Sequence, residues 1–431
     1  MTKLWKKSDT ALHSAVEKYT AGTDHILDVE ILPFDIQGSR AHAKGLEKIG
    51  ILSGAELKDL LHALDALEKD FAAGAITIMP EDEDCHTVIE NYLVLKLGDV
   101  GKKIHTGRSR NDQVLTAVRL YMKHHLAALR TQCVGLASDF VDAAEKHKDI
   151  PMPGYSHTQQ AMLGSVGHYM AAFAESLLDD ADYIAATIAH IDKSPLGSAA
   201  GFGTSIAIDR EYTCKELGFA AAQINTLYCQ NSRGKFESAY MEALAQVMLS
   251  LDKFANDMVL FTSREFDYFA VDDSLITGSS IMPHKRNLDV MEILRGNVSV
   301  VVANQLMVKS IAKNLISGYN RDAQLMKKPL IESTHIVEDS IEIVGIVLKG
   351  LTPKPESIRA KIDSGIFTAD IANELVVEKG MPFRDAYKQA ATIVPAHVDL
   401  QKNIVLKRSL GAPGNLDITG YRTRIHSAQR S

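Results

Sequence analysis

The amino-acid sequence predicts an all-α protein organised around a bundle of long helices. Helix breakers are scarce: 12 prolines occur in 431 residues, where average usage would give about 5%. Alternating apolar–polar runs, the mark of half-buried strands, are hard to find. Apolar residues instead recur three or four positions apart over long stretches, which lines up one face of a helix.

Taken in order, residues 1–106 read as short helices joined by turns. Ser53-Gly54-Ala55-Glu56 looks like a helix start, followed by Leu57, Leu60, Leu61, Leu64 and Leu67 at helical spacing. After the acidic run Glu81 to Asp84, Thr87-Val88-Ile89-Glu90 has capping-box form with Thr87 as N-cap. A long helix is expected from Leu115 through Val118, Met122, Leu126, Leu129, Cys133, Leu136 and Phe140. A second run, Tyr240, Leu244, Val247, Leu251, Phe254, Met258 and Phe261, steps alternately by four and three, a coiled-coil-like seam. Met162, Val166, Tyr169, Phe173 and Leu177 suggest another helix, and Val290, Ile293, Leu294, Asn297 and Val301 a further one. Such helices bury their apolar faces by packing into a bundle. Met241, Met248, Ala255 and Val259 lie beside the second seam. A single chain would leave that extra face wet, so the pattern points to an oligomer. Thr352-Pro353-Lys354-Pro355 opens a smaller C-terminal unit. The expected regions are 1–106, 107–350 and 351–431.

The totals narrow the function. An apolar content of 46% supports a large core. A net charge of −7, with basic residues scattered, argues against nucleic acid as the main partner. Eighteen or more consecutive apolar residues never occur, so no membrane span is expected. Residues 1–10 lack the apolar core of a signal peptide. Cys85, Cys133, Cys214 and Cys229, widely spaced, read as reduced cysteines of a cytoplasmic protein. His124 and His125 are adjacent, face different sides of a helix and have no carboxylate cluster to complete a metal site. Neither a P-loop nor a dinucleotide fingerprint is found, so no cofactor and no metal are expected.

Three helix starts look suited to carboxylates. In His105-Thr106-Gly107-Arg108-Ser109-Arg110-Asn111-Asp112-Gln113, Gly107 ends regular structure and Ser109 with Asp112 forms a capping pair. Guanidinium groups then meet free backbone N–H groups at a helix N-terminus, a combination that binds anions. The same residues also suit a solvated, well-capped loop. In Pro151-Met152-Pro153-Gly154-Tyr155-Ser156-His157-Thr158-Gln159, Ser156 and Gln159 fit a capping box, placing His157 at the first helical position. A positive helix end there would keep the imidazole neutral and able to accept a proton. In Thr277-Gly278-Ser279-Ser280-Ile281-Met282-Pro283-His284-Lys285-Arg286-Asn287, a flexible stretch precedes two cations, with Asn287 expected as N-cap of the Val290 helix. Such a loop can set a base against an acidic C–H while Lys285 holds the developing charge. Three anion-seeking ends together point to a small substrate with at least two carboxylates.

These motifs resemble the fumarase/aspartase superfamily, whose signature loop is similar to Gly278 to Asn287, and within it the argininosuccinate lyase family. His105 to Val114, Met152 to Gln159, and Tyr319 to Asp322 with Gln324 and Lys327 carry the second resemblance. Asp82 to Thr87, Pro195 to Ser198 and Met381 to Ala386 also fit it. The resemblance implies an all-α, three-region lyase fold and a homotetramer with a 20-helix core. Each active site would be shared between subunits, gathering segments of three chains. It implies elimination at a C–N bond, releasing arginine and fumarate. By resemblance, Ser279 is the base, activated by its loop amides and Lys285, and Lys285 also holds the aci-carboxylate. His157, paired with Glu292, serves the other proton transfer, and the direction between Ser279 and His157 stays open. Asn111, Ser156, Ser280 and Asn287, with Arg110, would bind the fumarate-side carboxylates. Tyr319, Gln324 and Lys327 would hold the arginine end.

The sequence departs from the family pattern in places. Ser156 stands for the usual Thr, His284 for Gln, and Leu288 for Pro. Leu325 and Met326 replace an acidic pair, and the usual Ser near Ala21-Gly22-Thr23 is missing. Pro283-His284-Lys285-Arg286-Asn287 is similar to adenylosuccinate lyases. That activity, another N-substituted-aspartate lyase, or a structural crystallin-like protein are the alternatives.

Overall fold

Four apolar seams become the long helices Arg110–Lys146, Val166–Ile191, Lys235–Phe261 and Asp289–Ala312; Lys327–Gly350, not read from the sequence, and Asp24–Lys48, 25 residues long where short helices are expected, match them in length. They belong to a computed structural model that describes residues 13–393 and 398–430. The charged stretch 1–10 therefore lies outside the described residues. The protein is 68% helical, as the sequence predicts. All eight apolar positions read from Leu115 to Phe140 are buried, as are all seven of the Tyr240 to Phe261 seam. Among the described residues, no helix is long and apolar enough to cross a membrane.

Compact packing divides the chain into two units. The first comprises Met1–Ala128, Ile184–Leu244 and Val301–His335. The second comprises Leu129–Tyr183, Ala245–Val300 and Ile336–Ser431. All of these long helices except Asp24–Lys48, which lies in the first, contribute residues to both. In the first unit, helix Asp24–Lys48 packs on Gly54–Ala72 and Cys85–Leu97. Ser53 caps the middle helix through a full capping box with Glu56, as read from the sequence. Ala41, Leu120, Leu196, Cys214, Leu217 and Phe219 form a core cluster there. In the second unit, Phe140 and Phe173 stack, and Phe254 meets both edge-to-face, with ring centroids 5.2–5.5 Å apart. Leu163, Ile366, Phe367 and Ile404 close a smaller cluster nearer the C-terminus.

Several expectations are corrected. The helix expected to start at Thr87 is capped by Asp84, whose carboxylate accepts the Thr87 amide, and runs Cys85–Leu97. No helix begins at Ser156. Pro151–Ser156 and Gln159–Ser165 pair as an antiparallel hairpin, with a bulge between Pro153 and Tyr155. The helix behind it begins only at Val166, so Met162 sits on a strand. Asn287 is not an N-cap. It pairs with Thr277 in a two-rung ladder, and the following helix begins at Asp289. The apolar face expected to be wet is largely covered within one chain: Met241, Met248 and Ala255 are fully buried, and Val259 is half-buried. Exposed apolar side chains include Leu249 and Leu260 on the Lys235–Phe261 helix and Ile293, Val300, Val302, Leu306 and Met307 on the Asp289–Ala312 helix.

Candidate active site

In the first unit, helix Asp24–Lys48 places Asp24, Asp28 and Asp35 on one face, four and seven residues apart. All three are buried, and a buried carboxylate is stable only when paired and hydrogen-bonded. Lys327 supplies the first two: its Nζ lies 2.7 Å from Asp24 and 2.6 Å from Asp28. Asp28 also accepts the Cys85 amide at 3.1 Å. Burial pulls the Lys327 ammonium down, but the two carboxylates outweigh it and hold the group above its ordinary value. Asp35 bonds His86 Nδ1 at 2.6 Å, accepts the Gln113 side-chain amide at 2.9 Å and lies 3.7 Å from Arg108. Burial opposes charge on both members of this pair, yet each partner wins: His86 is raised and Asp35 lowered.

Above this network is a cavity of about 390 Å³, within the range of small-molecule sites. Arg110, Asn111, Tyr319, Gln324 and Lys327, singled out in the sequence, all line it. Asp24, Glu83, Asp84, His86, Arg233 and Arg321 line it too. Ser109 and Asp112 open the Arg110 helix as read: the Ser109 amide donates to Asp112, and Ser109 Oγ accepts the Asn111 amide. Arg110 is already engaged, donating to Asp84 at 3.0 Å and Thr87 at 2.8 Å. Gln324 is engaged as well. Its amide donates to the carbonyls of Thr20 and Ala21, and its oxygen accepts from Arg321. Arg321 in turn donates to the Thr20 carbonyl and pairs with Glu83 at 2.6 Å. The Tyr319-to-Lys327 segment thus clamps the connection between helices Ser14–Ala21 and Asp24–Lys48.

The second unit carries the other motif residues. Ser279 to Lys285 form an exposed loop closed by the ladder Thr277–Asn287 and Gly278–Arg286. Thr277 donates to Asp289 at 2.8 Å, and Arg286 pairs with Asp273, so the base of the loop is pinned. Ser279 Oγ accepts the amides of Met282 at 3.1 Å and Ile281 at 3.4 Å. Donors aimed at a hydroxyl oxygen favour its deprotonated form. His157 stands with Thr158 at the tip of the hairpin, both with positive φ (52° and 58°). It stands at no helix end, and the ring is exposed at a turn. Among the described residues, no hydrogen bond or ion pair joins His157 to Glu292, Ser279 or Lys285.

Sequence reading missed Asp24, Asp28, Asp35, His86 and Arg233. The available signal was carboxylates recurring on one helical face otherwise occupied by Ile31, Leu32 and Ile36. Asp35, Cys85 and His86 come within 4.8 Å of one another, but their chemistry is that of an ion-pair network. Burial and nearby carboxylates push the Cys85 thiol up, and Arg108 and Gln113 already satisfy Asp35.

The Lyase family model matches residues 14–303. An argininosuccinate lyase of Xanthomonas oryzae is 43% identical over 388 residues, 90% of each chain. Another, from Thermotoga neapolitana, is 43% identical over 389 residues, 90% of this chain and 97% of its own. One from Xanthomonas campestris is 41% identical over 429 residues, 99% of each. The chain belongs to the argininosuccinate lyase family. It is therefore a carbon–nitrogen lyase by family. Solved structures agree on the fold. EDDS lyase in complex with formate superposes with a TM-score of 0.79 at 22% identity, covering 98% of this chain and 92% of that one. A class II fumarase from Schistosoma mansoni gives 0.72 at 15% identity, covering 88% and 91%.

Proposed function

We propose that the chain cleaves 2-(N-arginino)succinate into L-arginine and fumarate, a step of arginine biosynthesis in the cytoplasm. The observation that carries this reading is the full-length kinship to argininosuccinate lyases. It is supported by the convergence of Arg110, Asn111, Tyr319, Gln324 and Lys327 on one cavity. The uncatalysed reaction is slow because a C–H beside a carboxylate is a very weak acid. The enzyme must place fixed positive charge where the dianion forms.

Ser279 removes that proton, its oxygen already receiving two loop amides. Lys285 holds the charge that spreads onto the neighbouring carboxylate as an aci-carboxylate. The electron pair then forms the C=C bond as the C–N bond breaks, and His157, supported by Glu292, returns a proton to the leaving nitrogen. Asn111, Ser156, Ser280 and Asn287, with Arg110, bind the carboxylates of the fumarate half. Tyr319, Gln324 and Lys327 serve the arginine half. In the opposite assignment His157 takes the first proton. Hydrogen exchange at the reacting carbon, retained in Ser279→Ala but lost in His157→Asn, would select it.

The three regions 1–106, 107–350 and 351–431 assemble, in this reading, as a homotetramer whose sites draw on three chains. Exposed Ile293, Val300, Val302 and Leu306 on one helix suit burial against further copies. A monomer in sedimentation at micromolar concentration would overturn the assembly. Fumarate release from argininosuccinate and adenylosuccinate tests the activity. Turnover of the second alone would move the chain to the adenylosuccinate branch, which Pro283-His284-Lys285-Arg286-Asn287 resembles. Turnover of neither would overturn the reading.

A further inference from the structure

The hairpin that carries His157 holds a conformation its own turn does not favour. His157 and Thr158 are both left-handed, with φ 52° and 58°. That geometry disfavours any side chain with a Cβ, a β-branched one most of all. A strained turn persists only where the surrounding structure over-determines it. The register also needs a fixed point, since a slip of one residue would carry each side chain to the opposite face. Both demands are met at one rung. Tyr155 pairs with Gln160 directly beneath the Ser156–Gln159 pair that closes the turn. Each of the two is tied to a segment outside the hairpin.

On the first strand, the Tyr155 hydroxyl lies 2.5 Å from that of Tyr268, which is buried. The Tyr155 ring packs against Phe261 and Phe266, with centroids 6.0 Å away in each case. On the second strand, the Gln160 amide uses both ends. Its Nε2 donates to the Lys361 carbonyl at 2.7 Å, and its Oε1 accepts the Asp363 amide at 2.9 Å. The two anchor points are themselves joined. Lys361 Nζ donates to the carbonyls of Glu265 and Phe266, both at 2.6 Å. The Lys354 amide donates to the Tyr268 carbonyl at 2.8 Å, and strands Phe269–Val271 and Leu351–Pro353 pair alongside. The rung below the turn is thus held from both sides by one braced frame, while the tip itself is exposed.

We propose that Gln160, Tyr155 and Tyr268 are positioning residues for His157: they fix the register and the left-handed turn that aim the imidazole. The inference rests on the proton-transfer role proposed for His157 and deepens it. Gln160 is the more exacting anchor, because a donor and an acceptor must both find their partners at once. A side chain that bridges a carbonyl and an amide two residues apart fixes direction as well as distance.

Full-length variants cleaving argininosuccinate make the test. Gln160→Ala should lower kcat about 10-fold or more, since a tip displaced by about 1 Å is enough for such a loss. The KM should stay within about 3-fold, because Asn111, Tyr319, Gln324 and Lys327, proposed to bind the substrate, lie off the hairpin. Tyr268→Phe removes a single oxygen outside the hairpin and should lower kcat about 3-fold or more. It serves as the second variant should Gln160→Ala fold poorly. Double variants decide the matter. In a His157→Asn background, Gln160→Ala and Tyr268→Phe should each change kcat by less than about 2-fold, because the imidazole they aim is gone. A merely structural role would carry its full penalty into that background. Full penalties there, or an unchanged kcat in both single variants, would overturn the inference and leave His157 its role. Near-normal turnover of His157→Asn itself would overturn that role, and the positioning with it.

Discussion

The carboxylate of Asp112 accepts the backbone amide of Gly197 at 3.0 Å, tying the Arg110 helix to the Pro195-to-Ser198 motif. The same oxygen accepts the Ala199 amide at 3.0 Å, and the other accepts that of Ser109. Burial pushes the Asp112 carboxyl up, and Arg108 and these amides pull against it. Asp112→Ala would strand three amides, two of them buried, at a cost of roughly 3 kcal/mol or more. Asp112→Asn would turn an NH₂ group toward an amide donor and lose about half as much. Urea unfolding at fixed protein concentration checks both, and an unchanged midpoint in the alanine variant would remove Asp112 from its structural role.

Ser279→Ala and His157→Asn should each lower kcat by at least about 10²-fold. Neither change should unfold the chain. The His157 backbone is left-handed, a conformation that Asn adopts readily, so His157→Asn removes the imidazole while keeping the turn. Steady-state kinetics beside a thermal melt makes the comparison. Near-normal turnover in either variant would defeat its assigned role.

Four of the long helices are legible because burial of one face imposes a period close to 3.6; Asp24–Lys48, whose buried face is interrupted by Asp28 and Asp35, and Lys327–Gly350 are not. Leu115 to Phe140 shows this. The hairpin at His157 was not legible for a physical reason. Its two-residue turn uses positive φ at His157 and Thr158, without the Asn-Gly or Gly-Gly that usually announces such turns. Ser156 and Gln159 meanwhile imitate a capping box. The Gly278 loop was recognised as a loop, but the ladder closing it rests on two pairs, too few to leave an alternating pattern. Asp24 was hidden because its partner, Lys327, lies about three hundred residues away in sequence, and nothing local marks a buried ion pair. Arg110, Asn111 and Lys327 were found by motif, yet the bonds that already occupy Arg110 and Lys327 could come only from coordinates.

Asp180 offers a test of pH dependence. Burial raises its carboxyl to about 6 from 3.8, Asp179 adds to the shift, and a hydrogen bond from Ser250 only partly offsets it. A raised carboxyl favours the protonated form in the fold. Its contribution to stability is therefore complete below pH 3.8 and lost as pH rises through about 6. Allowing for partial exposure, ionisation costs about 2 kcal/mol at pH 8. Asp180→Asn should recover most of that at pH 8 and much less at pH 5. Melting temperatures at fixed protein concentration across this range make the measurement. A gain independent of pH would show that Asp180 is not the titrating group.

Two glycines separate close packing from backbone strain. Gly101 lies against the preceding helix so tightly that an added Cβ would sit 2.3 Å from the Leu93 carbonyl oxygen and 2.7 Å from the Val94 amide nitrogen. Those atoms are helical backbone and cannot swing aside. Gly101→Ala should therefore cost about 3 kcal/mol or more, the upper end of overpacking. Gly50 has φ +78° with open space where its Cβ would be. Gly50→Ala should cost only the left-handed strain, about 1 kcal/mol. Urea midpoints of the two variants against wild type test the ranking. If Gly50→Ala proved the more damaging, the tight seating of Asp99–Lys102 against Cys85–Leu97 would be wrong, and with it the geometry that leads the chain into the Arg110 helix.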